Sequence, residues 1–266
     1  MKNQLRKQQF KSLLLAALTF VPFTALAQVT INDTNFPDEN FRAYLLEQDY
    51  GKDGVITEDE IKDIWSIMVI EKNISSLKGI EYFTELEYLV CDNNQLTSLD
   101  ISKNTALTQL GCGINQLTSL DISNNTALKT LSCSGNQLTS LDVSNNIELE
   151  DISCYRNMIT GEAMDAFINS LPENTTGKKH TLRISTDDRR EGNVCTTDHV
   201  ATATAKGWSV EDWFGDNYEG VVPNSITLPT IEDESTPIYD LSGQRVNNLQ
   251  GKKGVYIVGG KKVLVK

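Results

Sequence analysis

Four cysteines, Cys91, Cys112, Cys133 and Cys154, stand 21 residues apart. Thiols can cross-link, hold a metal, attack a substrate or fill a core, and the spacing discriminates among these. The residues around each Cys repeat with it. The first unit reads Leu86-x-x-Leu89-x-Cys91-x-x-Asn94-x-Leu96, and the second Leu107-x-x-Leu110-x-Cys112-x-x-Asn115-x-Leu117. The third is Leu128-x-x-Leu131-x-Cys133-x-x-Asn136-x-Leu138, and the fourth Leu149-x-x-Ile152-x-Cys154-x-x-Asn157-x-Ile159. Such a period places the thiols on stacked strands about 4.8 Å apart, with parallel side chains. Parallel Cβ vectors fit a disulfide dihedral poorly, and four sulfurs in a line do not make the tetrahedron that zinc requires. Each Cys therefore reads as a small apolar filler, buried and reduced, with redox linkage as the alternative. Cys195 lies outside the period.

A second set of groups is carboxylates. Asp49-Tyr-Gly-Lys-Asp53-Gly54-Val55-Ile56-Thr57-Glu58-Asp59-Glu60 resembles an EF-hand loop at positions 1, 5, 6, 8 and 12. Position 3 is Gly51, so one carboxylate is missing. Two readings stay open. The loop binds Ca²⁺ weakly through Asp49, Asp53, the Val55 carbonyl and Glu60, at about 10⁻⁴ to 10⁻³ M. Or it is a metal-free cap, with Glu60 closing a capping box on a helix that starts near Thr57. The two His, His180 and His199, have no nucleophile or carboxylate pair beside them in a recognisable motif, so no enzymatic activity is expected.

These groups need a scaffold, and the repeat supplies it. A 21-residue unit does not bury its apolar face alone, so units must stack into a solenoid. The period extends backward: Met68, Ile70 and Asn73 stand 21 residues before Leu89, Cys91 and Asn94, which makes 65–83 a divergent first repeat. Each unit has a second half, as in Leu99-Asp-Ile101-x-x-Asn104, so each coil has two extended arms. Asn73, Asn94, Asn115, Asn136 and Asn157 are expected to form an inward ladder that satisfies backbone groups at the corners. Asp100, Asp121 and Asp142 lie on the other arm as a solubilising row. Beyond Asn157 the pattern changes to helix (161–171), strand (181–184), helix (197–206) and strand (208–213), an α/β cap with Trp208 and Trp213 as core and edge cover.

The ends read differently. Residues 1–27, with Lys2, Arg6, Lys7 and Lys11 before an apolar run and Ala25-Leu26-Ala27, read as a secretory signal peptide. Removing its four positive charges takes the net charge from −12 to −16, a poor fit to nucleic acid or anionic membranes. No other apolar stretch is long enough to span a bilayer. Residues 221–237, with Pro223, Pro229 and Pro237, read as a linker. Residues 238–266 hold six basic residues against one acid and read as three short strands turned by Gly259-Gly260.

The repeat resembles the leucine-rich repeat LxxLxLxxN(x)L with Cys in the third leucine slot, and 74–83 resembles its internalin-type form. The tail, Tyr239-Asp-Leu-Ser-Gly-Gln-Arg-Val246 through Lys266, resembles the C-terminal sorting module of type IX-secreted proteins from Bacteroidetes. The resemblance implies an α/β solenoid of short leucine-rich repeats with parallel strands. It would carry an EF-hand-like N-terminal cap (28–64), repeats (65–159), an α/β C-terminal cap (160–220) and a small β module (238–266). It also implies a secreted or cell-surface binding module, with the periplasm as the alternative location, expected to be a monomer, for a protein or surface ligand. The contact residues would face outward from the strands: Tyr88, Val90, Asp92, Gln109, Gly111, Gly113, Thr130, Ser132, Ser134, Asp151, Ser153, Tyr155 and Arg156. The alternative is a structural surface or spacer protein without a specific ligand.

Overall fold

The computed structural model describes residues 28–186, 190–222, 237–246, 254–258 and 261–265. The proposed leader, most of the linker and the Gly259-Gly260 turn lie outside these residues. The chain forms an α/β solenoid of leucine-rich repeat type. Strand β1 (Gln28–Thr30) pairs antiparallel with β2 (Val55–Thr57) on either side of helix α1 (Glu39–Glu47), and helix α2 (Glu58–Asp63) follows. Asp38 caps α1 by accepting from the Asn40 and Phe41 amides, and Phe41 and Leu45 face the core. Its other oxygen accepts from Ser75 N, Ser75 Oγ and Ser76 N, which ties the cap to the first coil. Partial burial opposes ionisation of Asp38, but the hydrogen bonds from Phe41, Ser75 and Ser76 outweigh it and hold the carboxyl below its ordinary pKa.

Strands β3 (Ser66–Met68), β4 (Tyr88–Val90), β5 (Gln109–Gly111), β6 (Thr130–Ser132) and β7 (Asp151–Ser153) come one per coil. Helix α3 (Glu162–Ser170), β8 (His180–Ser185), helix α4 (Thr197–Ala205) and β9 (Trp208–Asp212) complete the C-terminal cap. The seven strands β3 to β9 form one parallel sheet in sequence order. A single core runs from Ile31 through the repeats to Val210. In the third coil, for example, Leu107, Leu110, Cys112, Leu117, Leu120 and Ile122 all point into it. Full burial of each such aliphatic side chain is worth about 1.5–3 kcal/mol.

The corner of each coil is closed by asparagine. Asn115 Nδ2 donates to the carbonyls of Cys112 and Gly113 on its own coil and of Cys91 on the coil before, while its Oδ1 accepts from Leu96 N. Asn94, Asn136 and Asn157 repeat this arrangement. Asn193 continues the ladder into the cap, donating to Cys154 O and accepting from Ile159 N. On the second arm Asn104, Asn125 and Asn146 form another inward row, each donating to carbonyls of the preceding coil. Asp100, Asp121 and Asp142 stay exposed and accept from the amides of Ser102, Ser123 and Ser144 to shape the turns.

The first coil departs from the 21-residue alignment. Its register is Ser66↔Tyr88, Ile67↔Leu89 and Met68↔Val90, an offset of 22. Because strand side chains alternate, a one-residue shift exchanges the two faces. Ile67 and Val69 are the buried pair, whereas Met68, Ile70 and Asn73 are exposed. Asn73 is therefore not a rung of the ladder. Lys72 takes that position, and its N–H, with that of Ile74, donates to Asn94 Oδ1. The turn residues Glu71, Asn93, Ile114, Gly135 and Arg156 form a row of left-handed backbone conformations. Ile114 is the strained member, a β-branched side chain at φ 50°, a conformation that costs about 1–3 kcal/mol.

The tail is a separate four-stranded antiparallel sheet, one strand more than the sequence suggests. Its first run folds back on itself as β10 (Ile238–Asp240) and β11 (Arg245–Val246), with Asp240 Oδ1 accepting from the Ser242 and Gln244 amides in the turn. Strands β12 (Gly254–Val258) and β13 (Lys261–Val265) complete the order β11-β10-β12-β13.

Asn115→Ala is expected to lower stability by about 1–3 kcal/mol, because the Leu96 amide and the Cys91 and Cys112 carbonyls lose a buried partner. Urea denaturation checks this, and an unchanged midpoint contradicts the ladder's role.

Candidate functional site: the outward face of the strand sheet

The sheet puts one side chain of each strand in register with the next. One outward row reads Tyr88, Gln109, Thr130, Asp151, Thr181, Ser209, and the next Val90, Gly111, Ser132, Ser153, Arg183, Glu211. Asp92, Gly113, Ser134 and Tyr155 follow where the strands leave the sheet. All the contact residues expected from the sequence except Arg156 lie on this side of the sheet, but Gly111, Gly113 and Ser134 are buried there. Arg156 sits at the left-handed turn beside it, with its guanidinium 5.9 Å from the centre of the Tyr155 ring.

The middle of this face is low and polar. Asp92 folds over the two glycines: its Oδ1 accepts from Gly113 N at 2.9 Å, and a Cβ at Gly111 or Gly113 would meet its carboxylate at 2.6 or 2.8 Å. Desolvation raises the Asp92 pKa, and the bond from Gly113 N offsets part of that. Toward the C-terminal end the charges are paired among themselves. Asp151 holds Arg183 at 3.1 Å, Arg183 lies 3.6 Å from the buried Glu211, and Glu211 receives Lys179 at 2.5 Å.

The two ends of the face are aromatic and apolar. At the N-terminal end Trp65 stacks edge-on against Tyr88 with centroids 5.6 Å apart, and Trp65 and Met68 are 58% and 56% exposed. Ile70 lies exposed beside them. At the C-terminal end Tyr155 packs edge-to-face with Trp213 at 5.1 Å between centroids, and Trp213 with Phe214 at 6.4 Å. Trp213 and Phe214 are 48% and 71% exposed, so Trp213 is half cover and half surface, while Trp208 is fully in the core. Sequence reasoning missed Met68 and Ile70 because the 21-residue alignment turned them inward. The run Ile67-Met68-Val69-Ile70 is apolar throughout, so alternation does not choose between its two faces, and the 22-residue offset is visible only in the sheet. Phe214 had no local signal, since it joins the face through the cap.

The five cysteines are all free and buried. Burial pushes the Cys133 and Cys195 thiols up to about 12 and raises those of Cys91, Cys112 and Cys154 as well, so they remain protonated and unreactive in the folded state. His199 Nδ1 accepts from Thr196 N, so its Nε2 carries the proton and donates to Asp165 at 2.6 Å, bolting α4 to α3. That pairing serves packing between two helices.

In this arrangement Asp49, Asp53 and Glu60 of the EF-like loop are each paired with a protein group. Glu60 accepts from Thr57 N and Thr57 Oγ in a capping box, Asp49 points to solvent and pairs with Lys52, and Asp53 accepts from Val55 N. Gly51 is at position 3 for a backbone reason: a Cβ there would lie 2.0 Å from the Leu45 carbonyl. Among the described residues no three His, Cys, Asp or Glu side chains group as metal ligands. Calorimetry and melting with millimolar Ca²⁺ decide between the two readings of the loop, and no heat and no shift in melting temperature would leave the metal-free cap. A heat that disappears in Glu60→Gln would show that Glu60 leaves its capping box for the ion.

No protein-family description matches this chain. Internalin J of Listeria monocytogenes serotype 4b is 38% identical over 71 residues, which is 26% of this chain and 8% of that protein. The chain thus spans less than a tenth of the length of this curated relative. Among solved structures, the functional domain of InlJ from Listeria monocytogenes, described as including a cysteine ladder, aligns at 24% identity with a TM-score of 0.43, over 70% of this chain and 48% of that one. An internalin, InlF, of the same species aligns at 21% identity with a TM-score of 0.47, over 69% of this chain and 58% of that one. A leucine-rich repeat protein of Leptospira interrogans aligns at 24% identity with a TM-score of 0.41, over 52% and 34% of the two chains. No helix among the described residues is long and apolar enough to cross a membrane.

Proposed function

We propose that this chain is a leucine-rich repeat binding module of internalin-like type, secreted or displayed at the cell surface, whose ligand sits on the outward face of the sheet. The observation that carries this reading is the pair of exposed, mutually stacked aromatic groups at opposite ends of one strand face. Exposed Trp and Tyr held rigid by neighbours are the residue types that dominate binding energy. Between these ends the strand face itself is small and polar, while the isolated exposed aliphatics Ile114 and Ile147 lie off the strands, and a spacer has no need for paired Trp and Tyr. The partial identity to Internalin J is consistent with an internalin-like repeat.

The test is saturable adhesion of the full mature protein to extracellular matrix, glycan and bacterial surface preparations. Tyr88→Ala with Tyr155→Ala is expected to weaken adhesion about tenfold or more while the melting temperature stays close to wild type. Adhesion that does not saturate favours the spacer reading, and saturable adhesion that ignores the double substitution contradicts the strand face as the site.

Export is part of the same proposal, with residues 1–27 as leader and 238–266 as a type IX-like sorting module. The body carries its own continuous core, and Ile238 and Tyr256 bury themselves outside it. A chain ending at Val222, which keeps the pairing of Val221 with Cys195 and Thr197 that the sequence boundary at 221 would cut, is expected to unfold cooperatively as before and to accumulate in the periplasm of the native bacterium. Normal appearance of that truncation at the surface contradicts the sorting role.

A further inference from the structure

We propose that the ligand of the strand face is a neutral linear oligosaccharide, held by aromatic rings at both ends and by hydroxyl and amide groups between them. This rests on the reading above that the strand face is the binding surface, and it adds the chemical class of the ligand.

The dimensions of the face select a narrow ligand. Seven strands at about 4.8 Å give a length of roughly 29 Å, and three outward positions per strand give a width of roughly 13 Å. That footprint of roughly 400 Å² is about half of the ~800 Å² per partner of a standard protein interface. A second copy of this chain is a poor occupant for the same reason, and two bodies with a strong excess of acids would repel. Tyr88 and Tyr155 lie three strands apart and at opposite ends of them, a diagonal of roughly 20 Å that a chain-like ligand can span.

The charges select a neutral ligand. Asp151, Arg183, Glu211 and Lys179 already neutralise one another, and Asp92 is turned onto Gly113 N. What remains between the aromatic ends is Gln109, Thr130, Ser132 and Ser153, all partly exposed and none of them charged. Their hydroxyls both donate and accept, and the Gln109 amide does the same, which matches ligand hydroxyls.

The rings select a ligand with apolar C–H faces. An aromatic face is electron-rich, so it attracts the weakly positive C–H groups on the face of a sugar ring. Trp65 and Trp213 are each fixed by a neighbouring ring, so little conformational freedom is lost on binding. The face exposes side chains and no free backbone edge, so an extended peptide would find no ladder partner for its own N–H and C=O groups.

The experiment uses the intrinsic fluorescence of the full mature protein. Of the three tryptophans, Trp208 is buried and bonded to Pro172 O, so a ligand on the face acts on Trp65 and Trp213. The probes are cellohexaose, xylohexaose, mannohexaose and chitohexaose, with a proline-rich decapeptide for comparison. At least one hexaose is expected to change the emission saturably, with an affinity that is the same at low and high salt. Trp65→Ala and Trp213→Ala are each expected to weaken that affinity about tenfold or more without lowering the melting temperature, and calorimetry on each variant confirms the loss. No response to any hexaose at millimolar concentration overturns the proposal, as does binding that survives loss of both tryptophans. If the decapeptide binds instead, the sugar assignment fails while the strand face remains the binding surface. If no probe binds, adhesion of the Tyr88 and Tyr155 double variant decides separately whether the face binds anything.

Discussion

Every coil of this protein must turn a buried corner, and backbone amides and carbonyls taken away from water there need partners. The inward asparagine carboxamide supplies them. Each of Asn94, Asn115, Asn136 and Asn157 bonds carbonyls of two successive coils and accepts an amide of the earlier one, so it fixes the spacing between coils as well as the corner. The strands it aligns are only three residues long, too short to define a sheet alone. The Cys layer beside it is a consequence: with the corner fixed, the third inward slot takes a compact thiol that stays protonated because it is buried.

What could be read in the sequence was whatever repeats at a constant interval. The Cys and Asn positions from 91 to 157 announce the inward layer because an unbroken period forces equivalent residues into equivalent places. The same logic failed at both ends of the array. In the first coil one extra residue shifts the period to 22, and Asn73 stands by coincidence where a 21-residue rule expects a rung. Because Ile67, Met68, Val69 and Ile70 are all apolar, no alternation marked which face is buried, and only the strand pairing resolves it. In the cap, Asn193 takes the corner after a 36-residue excursion through α3 and β8, an interval no periodic reading anticipates.

The candidate site was legible to the same degree. The polar floor follows from the repeat, so Gln109, Thr130, Ser132 and Ser153 could be placed from spacing alone. Its aromatic ends come from non-repeating segments: Trp65 from the junction with the N-terminal cap, Trp213 and Phe214 from the C-terminal one. Their meeting with Tyr88 and Tyr155 is tertiary. The caps thus close the core at each end and also wall the outward face. The EF-like loop helps to close the N-terminal end, where its glycine at position 3 answers a backbone approach and its last acid caps a helix.

The most direct test of the ladder's part in the fold is amide hydrogen exchange at Leu96, Leu117 and Leu138. Their N–H groups donate to the Oδ1 atoms of Asn115, Asn136 and Asn157, and they lie outside the strands. If the asparagine ladder holds the coils together, these three amides exchange only through global unfolding, with the protection of the central strands. Exchange at the rate of exposed turn amides would contradict it, and the stacking of the coils would then rest on the apolar layers alone.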